Sequence, residues 1–249
     1  MVMKISVVVP VHNEAENIAS LIQEISSALE GKHEHEIIFV NDGSSDQTPA
    51  LLQQLQKEYP QLHPIHHLQC CGQSTALMTG IKNAAYPLIV TLDGDGQNNP
   101  ANINKLLRIY AGFKAEDVML AGYRYLRQDT IWRRLSSMIA NTVRSRLLGD
   151  KTPDSGCGLK VFSRDLFLNL PYFDHMHRFL PALVIRAGGK VISIEVNHRP
   201  RTGGSSHYGT LDRLAVGIVD LLGVIWLMKR AKTPKIAKSG PATNSDTKK

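Results

Sequence analysis

The chain has 249 residues, 43% hydrophobic and 20% charged, which suits one medium globular domain with additions and not a disordered chain. Its formal net charge is +7, but residues 229–249 hold seven Lys and Arg against Asp246, so +6 belongs to a tail and residues 1–228 carry about +1. With no basic stripe interleaved with aromatics and no zinc-finger spacing, this distribution argues against nucleic acid as a partner; Cys70, Cys71 and Cys157 form no disulfide framework and suggest the reducing cytoplasm.

Along the chain, "ISVVVPV" is cut too early by Pro10 and polar residues to be a signal peptide and reads as a buried strand. An amphipathic helix follows in "ENIASLIQEISSALEG", then a strand "EIIFVND", a helix "TPALLQQLQKEY" and a strand "LHPIHHL". The helix "STALMTGIKNA", strand "YPLIVTLD", helix "PANINKLLRIYAGF" and strand "DVMLAGYR" continue the alternation. Residues 130–150 read as a long helix, "CGLKVF" and "KVISIEV" as strands around the helix "FLPALVIRAG", and "RPRTGGSSHYG" as a loop. Strands separated by helices predict a mostly parallel α/β sheet with helices on both faces, whose ligands bind beyond the carboxyl ends of the strands.

Three polar clusters fall at that edge: "HNE" after the first strand, "NDGSSD" after the second and "LDGDGQ" after the fourth. Asp93 and Asp95 stand two apart and would share a side if the segment stays extended, with Gln97 following. Carboxylate and amide oxygens are hard ligands for Mg²⁺ or Mn²⁺, although Asp-Gly-Asp-Gly is equally good turn chemistry. Asp42, before a glycine turn, can accept from a nucleobase or ribose, with Ser45 or Asp46 as a helix N-cap beside it. Glu14 can take ribose hydroxyls or simply favour the start of a helix. The run His63, His66, His67, Cys70 and Cys71 is dense in soft ligands but matches no zinc spacing, and a strand sends His66 and His67 to opposite faces. Cys157 reads as a small buried hydrophobe.

"PVHNE", "NDGSSD" and "LDGDGQ", in this order, resemble the family 2 glycosyltransferases, which use nucleotide sugars on a GT-A fold. "GYRY", "WRRLSSMIAN", "DSGCGLKVFSR" and "HRPRTGGSSHYG" narrow the resemblance, over roughly residues 4–210, to the polyprenyl-phosphate glycosyltransferases of the dolichyl-phosphate-mannose-synthase-like branch. The resemblance implies nucleotide contacts at Pro10, Glu14, Asp42 and Asp93, and a metal held by Asp93, Asp95 and Gln97, with Gly94 where the family often has Ala. It implies catalytic roles for Asp93, Asp95 and Arg124, and acceptor-phosphate contacts from Arg124, Arg133 and Ser137; the last two, at i, i+4, share a helical face. Arg199, Arg201 and His207 would close over the diphosphate; His207 replaces a common Lys and would be only partly protonated near neutral pH. Lys160 stands where relatives often carry Arg.

The reaction implied is inverting transfer of one sugar from a UDP- or GDP-sugar to a polyprenyl phosphate. That acceptor is already an anion and needs no strong base, so the enzyme must supply charge and position. Transfer to a protein or glycan, and a silent nucleotide-sugar or lipid-phosphate binding protein, are the alternatives. No Gln-x-x-Arg-Trp motif of processive synthases is found, which disfavours chain elongation.

Three parts are expected: a catalytic domain over 1–210, an apolar helix over 211–230 and a basic disordered tail over 231–249. No stretch of about 18 uncharged apolar residues occurs. "LDRLAVGIVDLLGVIWLMKR" followed by cations suits a membrane surface, and a core-packed terminal helix is the competing reading. Branch members with anchoring domains carry further apolar spans, which this sequence does not contain. The expected location is peripheral, at the cytoplasmic face, where an integral-membrane protein is a candidate partner.

Overall fold

The computed structural model describes residues 2–113, 117–124, 144–197, 199 and 210–232. In chain order these form β1 (Lys4–Val11), α1 (Ala15–Leu29), β2 (Glu34–Asp42), α2 (Thr48–Glu58), β3 (Leu62–His67), α3 (Gln73–Lys82), β4 (Leu88–Thr91) and α4 (Ile103–Tyr110). There follow β5 (Val118–Arg124), helical residues 144–148 (α5), β6 (Lys160–Ser163), α6 (Arg164–Leu168), α7 (Leu180–Arg186), β7 (Lys190–Val196) and α8 (Thr210–Lys229).

The strands make one seven-stranded sheet in the order β3-β2-β1-β4-β6-β5-β7. β1 lies between β2 and β4, parallel to both, with Val7 opposite Ile37 and Val90. A strand covered on both faces needs apolar residues without alternation, and Ile5 to Val11 are all buried. Alternation then divides the core: Val7 and Val9 pack with Ile18, Ile22 and Leu52 of α1 and α2, while Val8 packs with Leu77 of α3 and Leu183 of α7 on the other face.

β6 departs from the parallel rule. It runs antiparallel to both β4 and β5, with Lys160 opposite Thr91 on one side and Ala121 on the other. The amino-terminal end of β6 therefore sits beside the carboxyl end of β4, at the edge where the polar clusters gather.

Among the described residues, no helix is long and apolar enough to cross a membrane. α8 is split between the two readings of its sequence. Val224 is buried against the domain, with Leu221, Ile225 and Met228 partly buried beside it, and Leu227 O accepts from Arg186 Nε at 3.0 Å. Its other side leaves Val219, Leu222 and Trp226 at least 60% exposed.

Candidate active site

The first two polar clusters, separate in sequence, are stitched into one crest. Asn13 adopts a left-handed backbone (φ 55°), which Asn tolerates, and its Oδ1 accepts from the backbone N of Ser45 at 2.8 Å. Asp46 accepts from Thr48 N at 2.9 Å and from Ala15 N at 3.2 Å, so one carboxylate serves the first turns of two helices. The residue in the N-cap position of α2 is Gln47, two beyond Ser45 and one beyond Asp46, the expected caps, and it makes no side-chain cap; Asp46 does that work from outside. Pro10 is near the end of β1, and Glu14 is the N-cap of α1, its Oε2 accepting from Asn17 Nδ2 at 2.7 Å.

Asp42, at the end of β2, is buried, and its carboxylate is filled. Oδ1 pairs with His67 Nδ1 at 2.7 Å and accepts from Cys71 N at 2.9 Å; Oδ2 accepts from Gly72 N at 2.8 Å and Cys70 Sγ at 3.3 Å. Burial would raise this acid, but the donors outweigh it and hold the pKa below the usual carboxylate range. A carboxylate offers about four acceptor positions, so Asp42 fastens the 68–72 loop that leads into α3. Of the soft-ligand run, His67 and Cys71 join Asp42 within 4.8 Å. His66 pairs instead with Asn41, at 3.2 Å, as alternation along β3 requires.

The third cluster is a turn and not extended strand: β4 ends at Thr91, residues 94–95 form the turn, and Gly96 is left-handed (φ 70°). Asp93 and Asp95 are thus brought together by turn closure and not by strand alternation. Asp93 Oδ1 accepts from Gln73 Nε2 at 2.9 Å and Oδ2 from Asn98 Nδ2 at 3.3 Å. Burial, and then the charge of Asp95, push the Asp93 pKa above the usual carboxylate range; Lys160, Arg124 and Asn98 offset part of this. The Asp95 carboxylate accepts from Gln97 N at 3.1 Å. Gly158 is forced by the approach of this acid, since a Cβ there would lie 2.3 Å from Asp93 Cγ.

Arg124 ends β5 with its guanidinium clamped on Asp154, Nε to Oδ2 at 2.6 Å and Nη2 to Oδ1 at 2.9 Å. Burial would lower the pKa of Arg124, but Asp154 outweighs it and keeps it above its ordinary value. A fork–fork pair holds the plane of the cation as well as its charge.

Arg199 was expected over the diphosphate. Its backbone N does bond Gln97 O at 3.0 Å, but its Nη1 reaches both oxygens of Glu24 on α1, at 2.8 and 2.9 Å. The guanidinium is thus turned toward α1 here. Arg133, Ser137, Arg201 and His207 lie outside the described residues.

Gln73, Asn98, Asp154 and His177 were missed in the sequence. Asp154 opens the quoted stretch "DSGCGLKVFSR", where a motif signal was available; Gln73, Asn98 and His177 have none and reach the site only through folding. His177 pairs with Ser74 Oγ at 2.8 Å, and burial, then the cations Arg178 and Lys160, bring its pKa down to about 3. Cys157 is fully buried, as expected, and its thiol is pushed up to about 11 by burial, so it stays protonated. Gln73, Asp93, Gly158, Lys160 and His177 line one small cleft of about 20 Å³.

The family model of glycosyl transferase family 2 matches residues 6–170. A dodecaprenyl-phosphate galacturonate synthase from Rhizobium johnstonii is 32% identical over 237 residues, 93% of this chain and 69% of that protein. An undecaprenyl-phosphate 4-deoxy-4-formamido-L-arabinose transferase from an Enterobacter species is 35% identical over 211 residues, 82% of this chain and 62% of that protein. The chain thus spans 62–69% of the length of these two relatives. Among solved structures, glucosyl-3-phosphoglycerate synthase from Mycobacterium tuberculosis in complex with UDP has a TM-score of 0.65 at 17% identity, covering 91% of this chain and 80% of that one. The same enzyme with Mn²⁺, UDP-glucose and glycerol 3-phosphate gives 0.64 at 19% identity, covering 94% and 82%. Fold, motif order and sequence similarity agree: the chain belongs to glycosyl transferase family 2 and has the GT-A fold.

Proposed function

We propose that this chain transfers one sugar, with inversion, from a nucleotide sugar to a polyprenyl phosphate at the cytoplasmic face of a membrane. The observation that carries the reading is a single cleft edge that gathers the acidic turn Asp93–Gln97 and the Arg124–Asp154 clamp, in a chain whose cited relatives are named for transfer involving a polyprenyl phosphate.

Asp93, Asp95 and Gln97 are the residues that would hold Mg²⁺ or Mn²⁺. The fit is supported by a donor set made of hard oxygens and by the mutual repulsion of Asp93 and Asp95, which a dication would relieve. When bound, such an ion neutralises the leaving diphosphate. Pro10 and Glu14 border the nucleotide, Asp42 shapes its side of the edge by fixing the 68–72 loop, and Arg124 is held in place by Asp154. Arg133 and Ser137 position the acceptor phosphate, with Arg201 and His207 assigned to the diphosphate on the resemblance alone. Because the acceptor oxygen is already anionic, alignment and charge neutralisation suffice and no general base is assigned. The exposed Val219, Leu222 and Trp226 of α8, followed by the cationic tail, support contact with an anionic membrane surface.

The test is transfer of labelled sugar from UDP- and GDP-sugars to a short polyprenyl phosphate, with Mg²⁺, Mn²⁺ or chelator. Label entering the lipid fraction, and lost with chelator, is the expected result. Donor hydrolysis without lipid product would assign another acceptor, and metal-dependent binding without turnover would make the chain a binding protein.

A further inference from the structure

The acidic turn is held by two elements outside its own motif. One is α1: Gly96 is left-handed, and a Cβ there would stand 3.8 Å from Oδ1 of the buried Asn17. The other is the segment after β7. The backbone N of Arg199 donates to the carbonyl of Gln97 at 3.0 Å. One residue before the end of β7, the carbonyl of Glu195 accepts from Lys105 Nζ of α4 at 2.7 Å, so the approach to Arg199 is itself fastened. The bond to Gln97 uses the main chain and does not compete with the side-chain amide for a metal.

The side chain of Arg199 joins these two elements. Its Nη1 donates to both carboxylate oxygens of Glu24, at 2.8 and 2.9 Å, and Glu24 stands on α1, whose Ile18, Ile22 and Ile25 are buried in the core. The two side chains are 41% and 38% exposed, so the pair adds little to global stability. What it fixes is place: one residue ties the end of β7, the acidic turn and α1 together. The turn needs such a tie. Asp93-Gly94-Asp95-Gly96 carries two glycines, which restrict its backbone least, and the charge of Asp95 acts against that of Asp93. Glu24 also compensates the guanidinium charge that a direct role on the diphosphate would require.

Resting on the metal assignment in the proposed function, we propose that Arg199 is a positioning residue: paired with Glu24, it straps the acidic turn to α1 and presets the oxygens of Asp93, Asp95 and Gln97 for a divalent ion. Its effect on the reaction passes through Gln97 and the turn, and not through contact with the diphosphate. Preorganised ligands bind more tightly because less ordering is left to be done on binding, and groups behind the ligands of a metal act by orienting them. Glu24, far from every motif of the sequence, belongs to the site for the same reason.

Metal binding without turnover tests this. Mn²⁺ is titrated into the full chain in the presence of UDP or GDP, with a protein-free control, and the free ion is read by electron paramagnetic resonance. Glu24→Gln and Arg199→Gln are each expected to weaken Mn²⁺ binding about threefold, and the double variant no more than either alone, because each breaks the same strap. Exchanging the charges, Glu24→Arg with Arg199→Glu, is expected to recover part of the affinity. Both positions are partly exposed, and melting temperatures within a few degrees of the wild type establish that the variants fold. Unchanged Mn²⁺ affinity in Glu24→Gln overturns the proposal, as do additive losses in the double variant. Nucleotide affinity measured without metal separates the competing role. Loss of it in Arg199→Gln together with a gain in Glu24→Gln would show a guanidinium that serves the diphosphate when released, and would overturn the strap. A wild type that binds no Mn²⁺, with or without nucleotide, would remove the metal assignment and the proposal with it.

Discussion

Asp42 and Asp93 end neighbouring crests of one sheet, and their surroundings differ in kind. Around Asp42 each carboxylate oxygen is met by two protein donors and the acid is held below its usual pKa. Around Asp93 two side-chain amides are met, a second carboxylate stands close by, and the acid is raised above its usual pKa. The first arrangement is complete without a ligand and serves to fix a loop. The second holds like charges together in a partly desolvated cleft, at a cost to folding that Lys160 and Arg124 offset in part and a bound cation would relieve further. Carboxylates on the same edge therefore have different surroundings, and their hydrogen-bond partners, more than their motifs, separate the two.

The sharpest way to break this comparison is to remove a carboxylate from each crest. Asp95→Ala should reduce transfer by about 10²-fold or more, since it strips charge stabilisation from the leaving group, while the melting temperature stays the same or rises. Retention of full activity in that variant would end the metal assignment. Asp42→Ala should do the reverse in character: it leaves the backbone N–H groups of Cys71 and Gly72, and His67, without their acceptor, which costs about 1–3 kcal/mol of stability. A urea midpoint equal to that of the wild type would show that Asp42 is no anchor.

A smaller effect is expected at Gly94, where related sequences often have Ala. A Cβ there would lie 2.4 Å from Val11 Cγ1 and 3.0 Å from Pro10 O. Gly94→Ala alone should cost about 1–3 kcal/mol, and adding Val11→Ala should recover part of it; strict additivity of the two would refute the packing explanation.

The smallest effect is read through pH. The pKa of His177, down to about 3 in the fold, is far below the unfolded value of 6.5. A group that is neutral in the fold stabilises it fully above the unfolded pKa, and that contribution is lost as pH falls from about 6.5 toward 3. By about pH 5.5 the loss is on the order of 1 kcal/mol. Asp93, with a raised pKa, works in the opposite direction over part of this range, so the comparison must be wild type against His177→Gln. Thermal melts of the variant should decline less between pH 7 and 5, and parallel declines would show that His177 does not stay neutral.

Much of the fold was legible because periodicity is a local property. "ISVVVPV" and "EIIFVND" carry apolar runs without alternation because β1 and β2 are covered on both faces, and "ENIASLIQEISSALEG" repeats its apolar positions at helical spacing because α1 buries one side. The polar crests were legible for a related reason, since parallel strands joined by helices bring their carboxyl ends to one edge.

The sequence by itself thus determined the elements, the sheet edge where the candidate site lies and the acids that gather there, because each depends on residues close together in the chain. Only the tertiary structure decided that β6 runs antiparallel, since strand direction depends on which neighbours it joins across a long connection. From that reversal follow the placement of Lys160 beside the acidic turn and the requirement for glycine at 158. Tertiary structure also decided that Arg124 belongs to Asp154 and that Arg199 turns to Glu24, because an ion pair is chosen by distance in space and leaves no periodic trace in the sequence.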